Sequence, residues 1–245
     1  MKIIDQSHEI LHMDDMGRIE QAGRTCYKSE DKMGCTQPVG ECDYTFDAAA
    51  IVCRNCGSNS ALRFVKMLIK RGHEAMLEHG SATVKFVTNR GVTHELVRHR
   101  VASYGQESTR YVKYDGDMEF IRPVWCPEAI LGTWREEDEW WSGNNGHLSA
   151  ADDDFCSACW EAEQAYKFLL DQGWRPEQAR EVLPNSLKTE IVVTANYREW
   201  RHIFKLRAIG TTGKPHPQMQ ALMLPVLEEF KEKLPALFGD LEAGK

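Results

Sequence analysis

The chain lacks the features that would send it to a membrane, to the secretory route or to a nucleic-acid polymer. No run of eighteen apolar residues occurs, so no membrane-spanning helix is expected. Met1-Lys2-Ile3-Ile4-Asp5 turns polar too soon for a signal peptide, which makes the cytoplasm the expected compartment. Positive charge is in deficit: 30 Lys and Arg face 37 Asp and Glu, a net charge of −7. General nucleic-acid binders present basic surfaces instead. No G-x-G-x-x-G follows a strand, so a Rossmann site for a dinucleotide is not supported. Internal repeats are absent as well. What remains is a 245-residue chain, 42% hydrophobic and 27% charged, an ordinary soluble composition.

Cysteine, by contrast, is plentiful, at eight residues. Without a secretion signal a disulfide framework is not expected. Cys156 and Cys159 fall inside a helical pattern (Phe155, Ala158, Ala162, Ala165, Leu169) and read as small core-facing residues. Cys35, Cys42, Cys53 and Cys56 could hold a structural Zn²⁺ tetrahedrally. The six-residue gap between Cys35 and Cys42 is wider than the usual knuckle, so reduced thiols are the expectation and no metal is assigned.

The densest chemistry lies between Glu95 and Tyr111, which holds Arg98, His99, Arg100, Ser103, Gln106, Ser108 and Arg110. Gly91–Arg100 reads as a helix with Val92 and Leu96 on one face and its cations in the last turn, where they meet the negative end of the dipole. Ser103–Arg110 then reads as a polar segment without an apolar face. Arginine forks and hydroxyls are the groups that hold phosphate. Each charge-assisted bond contributes on the order of 1.5–3 kcal/mol, so two or three arginines could hold a nucleotide despite the acidic whole. Taken alone, these residues specify an anion site.

Arg98-His99-Arg100, seven residues, then Ser108-Thr109-Arg110-Tyr111 resembles the RHR-x7-S signature and S-x-R-Y ending of the flavin-dependent thymidylate synthase (ThyX) family. Gly72-His73-Glu74-Ala75-Met76-Leu77-Glu78-His79 is similar to that family's flavin-associated G-H-x-S-x-x-E-H block. Ala75 departs from it, because a hydroxyl residue is usual there, and leaves only a backbone contact. Gln178-Ala179-Arg180-Glu181-Val182-Leu183-Pro184, with Asn196-Tyr197-Arg198 and Leu206-Arg207, fits the A-R-x-x-L-P, N-x-R and L-R elements. Arg24–Ser29 looks like the family's first sheet-to-loop block, and the likeness runs from about Arg24 to Ala236. At Thr211–His216 the sequence departs from the family's usual polar segment.

The resemblance implies an α/β (α+β) fold, a mixed or antiparallel sheet with packed helices, and a non-Rossmann flavin site. It implies one catalytic domain over 1–245, with insertions at about 30–57 and 123–148, the latter expected as a surface excursion. It implies FAD near His73, Ala75, Arg98, His99, Arg100, Gln106, Asn196, Tyr197, Arg198 and His202. It implies dUMP near Glu95, Leu96, Val97, Arg98, Gln106, Glu107, Ser108, Thr109, Arg110, Arg180 and Arg207. NADPH is the implied reductant, 5,10-methylenetetrahydrofolate the one-carbon donor, and a homotetramer with shared sites the implied assembly.

The residues constrain the mechanism as well. Cys126, in Trp-Cys-Pro-Glu, has no His or Arg directly adjoining it in sequence to activate a thiolate, so a cysteine adduct to the pyrimidine is not expected. Ser108 has no visible base to make it a nucleophile and is read as a phosphate ligand. Arg207 is the expected catalytic group, stabilising negative charge that develops on the uracil ring. The competing reading is a non-catalytic nucleotide-binding or zinc-stabilised interaction protein, suggested by the Cys-rich stretch.

The remaining elements follow from periodicity. A strand is expected within Ile3–Met13, a short helix capped by Asp14 or Asp15 to about Ala22, and a helix over Ser58–Arg71 stopped by Gly72. Strands are expected at Ser81–Val87, Met118–Arg122 and Thr189–Ala195. Ser149 and Asp152 open a helix to about Leu170, Asn196 caps another, and an amphipathic helix spans Pro217–Leu234.

Overall fold

Alternation and capping set most of the elements. In the computed structural model, which describes residues 1–34, 58–135 and 148–242, the order is β1 (Lys2–Ile4), β2 (Ser7–Met13), α1 (Gly17–Tyr27), α2 (Ser60–Arg71), β3 (Ser81–Asn89), α3 (Arg90–Leu96), β4 (Ala102–Gln106), β5 (Glu119–Ile121), β6 (Gly132–Thr133), α4 (Ala150–Asp171), α5 (Pro176–Ala179), β7 (Lys188–Asn196), α6 (Tyr197–Phe204), α7 (Pro217–Lys233) and α8 (Pro235–Phe238). A three-stranded sheet has the order β5-β1-β6, with β1 parallel to β5 and antiparallel to β6. A four-stranded sheet has the order β2-β3-β7-β4. In β3 and β7 every second residue is buried, the period-two pattern legible in Ala82, Val84 and Phe86.

Two compact units emerge, each built from interleaved segments. The first comprises 1–8, 85–98 and 104–192. Its core gathers Ile3, Met118, Phe120, Ile130, Trp134, Tyr166 and Leu187 with the thiols Cys126, Cys156 and Cys159. Ser149 and Asp152 form a reciprocal capping box at the head of α4, satisfying two backbone donors that the first turn leaves open. The described part of the expected surface excursion is therefore different in kind: Cys126, Ile130 and Trp134 are buried, and Gly132–Thr133 pairs with β1. Cys126 and Trp134 are apolar cargo for a core, although the polar residues around them read as solvent-facing and Trp125 is 63% exposed. Residues 136–147 lie outside the described set.

The second unit comprises 9–84, 99–103 and 193–245, described to residue 242. Its core is aromatic: Trp200, Phe204, Phe230 and Phe238 interlock with ring centroids 5.1–5.8 Å apart. These separations suit edge-to-face and tilted stacking of ring quadrupoles. Trp200 also donates Nε1–H to the carbonyl of Ala82 at 3.0 Å. Gly80 admits the ring of Tyr197; a Cβ there would meet it at 2.6 Å. Gly72, at φ 71°, ends α2 as the sequence indicates.

Three local expectations change. α1 runs on to Tyr27 instead of stopping near Ala22, so Arg24–Ser29 is a helix end and a left-handed turn at Lys28 (φ 49°), not a sheet-to-loop block. Asp15 does bind the helix entrance, accepting from Gly17 N at 2.6 Å. α3 ends at Leu96, where Arg98 N turns back to Glu95 O at 3.2 Å; the Arg98–Arg100 triplet lies beyond the helix. The polar segment after it contains β4, whose alternating burial is carried by small and polar residues that hide the period from a hydrophobicity scan. Beyond α6 the chain widens into a π turn, Lys205–Ile209, closed by Gly210 at φ 83°. Such turns are rare and occur often at functional sites.

Candidate active site

In the first unit, the stretch after β4 is held from beneath. Gln106 at the end of β4 donates Nε2–H to the hydroxyls of Thr93 (3.0 Å) and Thr189 (3.2 Å), both fully buried. Arg90, at the start of α3, donates to the Glu107 carbonyl at 3.1 Å. The Glu107 carboxylate accepts from the Tyr114 hydroxyl at 2.8 Å and from Glu190 N at 3.3 Å, with Lys188 Nζ 3.7 Å away. Burial and the Glu107 carboxylate together keep Tyr114 a protonated phenol, its pKa raised well above the ordinary value.

On that base Ser108 opens a tight turn. Its carbonyl accepts from the backbone N–H groups of Tyr111 and Val112, and its hydroxyl accepts from Arg110 N at 3.3 Å. Thr109 is buried and accepts from Arg180 Nη1 at 3.3 Å. Arg110 is exposed, with Nε 3.9 Å from Glu177. Arg180 also lies 3.7 Å from the exposed Glu181 carboxylate, and guanidinium groups in such long ion pairs can turn to a phosphate at little cost. Arg98 is exposed, Leu96 is fully buried and Val97 is 41% exposed.

In the second unit His99, Glu199, His202 and Arg207 meet. Arg207, in the π turn, donates Nε–H to His99 Nε2 at 3.2 Å, and His99 Nδ1 is 3.4 Å from Glu199 Oε1. Because Nε2 accepts, the neutral ring carries its proton on Nδ1 and directs it at Glu199. His202 packs edge-on against His99 with centroids 5.6 Å apart. Burial, then the charges of Arg207 and His202, push the His99 pKa down to about 4, so the ring is neutral at neutral pH. His99, Glu199 and His202 each place a ligand atom within 4.8 Å of the others, a spacing a metal ion could use. A cation on His99 Nδ1 would drive the ring proton to Nε2, where Arg207 already donates, so no metal is assigned.

Next to this cluster is a cavity of about 360 Å³ lined by Asn196, Arg198, Glu199, His202 and Lys205, with Glu74, Glu78 and Val101 completing the wall. Asn196 caps α6 by accepting from Glu199 N at 2.9 Å, which aims Arg198 and His202 from successive turns at one space. Arg198 is exposed and donates to Glu78 at 2.6 Å. The wall mixes donors and acceptors. A diphosphate entering it would have to open the Arg198–Glu78 pair.

Of the residues named from the sequence, Tyr197 changes role: it is fully buried, its hydroxyl donates to the Asp14 carbonyl, and its ring packs on Phe238. Glu107 likewise spends its carboxylate on Tyr114 and Glu190. Ala75 is exposed on the short 3₁₀ stretch Glu74–His79 after α2, and His73, exposed just before it, has Nδ1 2.6 Å from the Tyr27 hydroxyl. Arg100 is exposed. Glu199, Arg90, Tyr114 and Tyr27 were not legible as site residues. Glu199, as the third helical residue after a capping Asn, carried the clearest signal and reads as an ordinary first-turn carboxylate. Burial pushes the Cys126 thiol up to about 11, with Asp152 adding to the shift, and Cys156 up to about 12, so neither is an activated nucleophile. Cys35, Cys42, Cys53 and Cys56 lie outside the described residues.

The family model described as thymidylate synthase complementing protein matches residues 10–236. A flavin-dependent thymidylate synthase of Geobacter sulfurreducens is 35% identical over 182 residues, 74% of this chain and 69% of that protein. One of Corynebacterium diphtheriae is 32% identical over 98% of this chain and 84% of its own length. Among solved structures, a UMP/dUMP methylase, PolB from Streptomyces cacaoi, bound with 5-Br dUMP, superposes with a TM-score of 0.70 at 18% identity. That superposition covers 98% of this chain and 96% of the other, and it supports the mixed helix-and-sheet fold.

Proposed function

The chain belongs to the flavin-dependent thymidylate synthases, and on that premise we propose how its residues divide the work of converting dUMP to dTMP. Arg180, Thr109, Ser108 and Arg110 hold the nucleotide phosphate, and Arg98, exposed in the same unit, is proposed as a further ligand. Glu107 and Gln106 act through the backbone they fix, since their side chains are already engaged. The cavity at Asn196, Arg198 and His202 takes the ring end of the flavin, with His73 and the Ala75 backbone as further contacts. A homotetramer with sites shared between copies is the assembly proposed. FAD is the form proposed, NADPH its reductant and 5,10-methylenetetrahydrofolate the one-carbon donor. When bound, the flavin supplies the hydride that turns the transferred carbon into a methyl group.

Arg207 carries the part of the chemistry that the chain itself performs. Methylation at C5 needs electron density there, and a guanidinium at the ring carbonyls stabilises the negative charge that develops. The observation that supports this role is the bond from Arg207 Nε to a buried, neutral His99, itself braced by Glu199. A guanidinium tied on one edge has its plane fixed before substrate arrives. The raised thiol pKa values favour this route over a cysteine adduct.

Both units are read as one catalytic domain, with insertions at about 30–57 and 123–148, and the protein as cytoplasmic. Among the described residues no helix is long and apolar enough to cross a membrane. Colour and oxygen-free turnover test the assignment. Purified protein is expected to be yellow, to bleach with NADPH when oxygen is excluded, and to form dTMP from dUMP and methylenetetrahydrofolate. A colourless, zinc-containing preparation that takes up no added FAD would instead support a non-catalytic binding protein.

A further inference from the structure

Tyr27 is the last residue of α1, and His73 follows the glycine that stops α2. The Tyr27 hydroxyl oxygen is 2.6 Å from His73 Nδ1, and the two rings lie 28° from parallel with centroids 6.3 Å apart. Both are exposed, Tyr27 at 47%, so the contact adds little to a core. The Tyr27 ring is steadied from one side by the edge of Phe64, at a centroid distance of 6.3 Å, and the left-handed Lys28 turns the chain away behind it. Residue 27 thus has a defined place, and its hydroxyl spends its bond on one nitrogen of one histidine.

The choice of nitrogen has a chemical consequence. Of the two groups, the phenol is the stronger hydrogen-bond donor and the imidazole lone pair the stronger acceptor, so a short O–H to Nδ1 bond leaves Nδ1 without a proton. A neutral His73 then carries its hydrogen on Nε2. We propose that Tyr27 is a positioning residue that fixes the plane and tautomer of His73, so that Nε2 presents a donor to an acceptor atom of the flavin ring. This rests on the reading of His73 as a flavin contact. A donor there favours the electron-rich, reduced flavin over the oxidised one, which is the form that must give up hydride to the transferred carbon.

The test uses the full-length enzyme loaded with FAD, its Tyr27→Phe variant and, separately, His73→Gln. Phenylalanine keeps the ring against Phe64 and removes only the hydroxyl. In the wild type, ¹⁵N spectra of the His73 ring should show an unprotonated Nδ1 and a protonated Nε2. In Tyr27→Phe those signals should move toward a mixture of tautomers, and FAD affinity should fall about three- to ten-fold, more for the reduced than for the oxidised form. A wild-type ring protonated at Nδ1, or ring signals unchanged in Tyr27→Phe, overturns the assignment. If His73→Gln leaves FAD affinity unaltered, the flavin contact itself is wrong, and the two ring spectra still decide whether Tyr27 sets the tautomer.

Discussion

The stretch proposed to hold phosphate in the first unit and the Arg207 cluster in the second use the same side chain in opposite ways. Arg180 and Arg110 are held loosely: Arg180 by a 3.3 Å bond to a threonine hydroxyl and a 3.7 Å approach to the exposed Glu181, Arg110 by a 3.9 Å approach to the half-buried Glu177. Arg207 is held by a neutral imidazole that is itself buried and braced. Phosphate is charged in substrate and product alike, so its ligands need only capture it. Uracil acquires charge during the reaction, so its partner gains from being fixed in advance. Looseness serves binding; fixity serves rate.

Substitutions can break this contrast. The largest expected effect is Arg207→Ala, which should lower kcat by about 10²–10³-fold while leaving the KM for dUMP within a few-fold. Loss confined to KM would place Arg207 among the binding groups. Next comes the pH response of stability. His99 is held near 4 in the folded chain, against about 6.5 when unfolded, so between those values the unfolded chain binds a proton that the folded one refuses. Stability should therefore fall as pH drops from about 6.5 to 4, by roughly 2–3 kcal/mol from this residue. Urea melts across that window should show the slope, and His99→Gln should flatten it.

Arg180→Ala should act on the other side of the comparison. It should raise the KM for dUMP about 10–100-fold with kcat little changed, as expected for one charge-assisted phosphate bond. A drop in kcat alone would contradict the capture role. The smallest effect is expected from Ser108→Ala, whose hydroxyl already accepts from Arg110 N. Dissociation measurements should show only a few-fold weaker dUMP binding, and dTMP formation should remain measurable.

The strands, the capping box and the glycine stop of α2 were legible because each depends on residues near in sequence. So were the buried thiols of α4, whose helical spacing marks them as core. The ends of α1 and α3 were not: Gly23, which would ordinarily weaken a helix, lies inside α1 because only glycine leaves room for the Phe64 ring, and no glycine or proline marks the stop of α3 at Leu96. β4 was missed because Ala102, Ser103, Tyr104, Gly105 and Gln106 contain no apolar alternation; only pairing with β7 makes them a strand. In the site, the RHR triplet and the S-x-R-Y ending stood out by arginine density. Glu199 and Tyr27 did not, because their significance comes from a partner 100 and 46 positions away, His99 and His73.

The most direct measurement is a single oxygen-free turnover, with flavin reduced beforehand and dUMP and methylenetetrahydrofolate supplied, in Cys126→Ala and Arg207→Ala side by side. The account predicts dTMP at close to the wild-type rate from Cys126→Ala and almost none from Arg207→Ala. Loss of turnover in Cys126→Ala, together with a covalent pyrimidine adduct on the wild-type thiol, would contradict it.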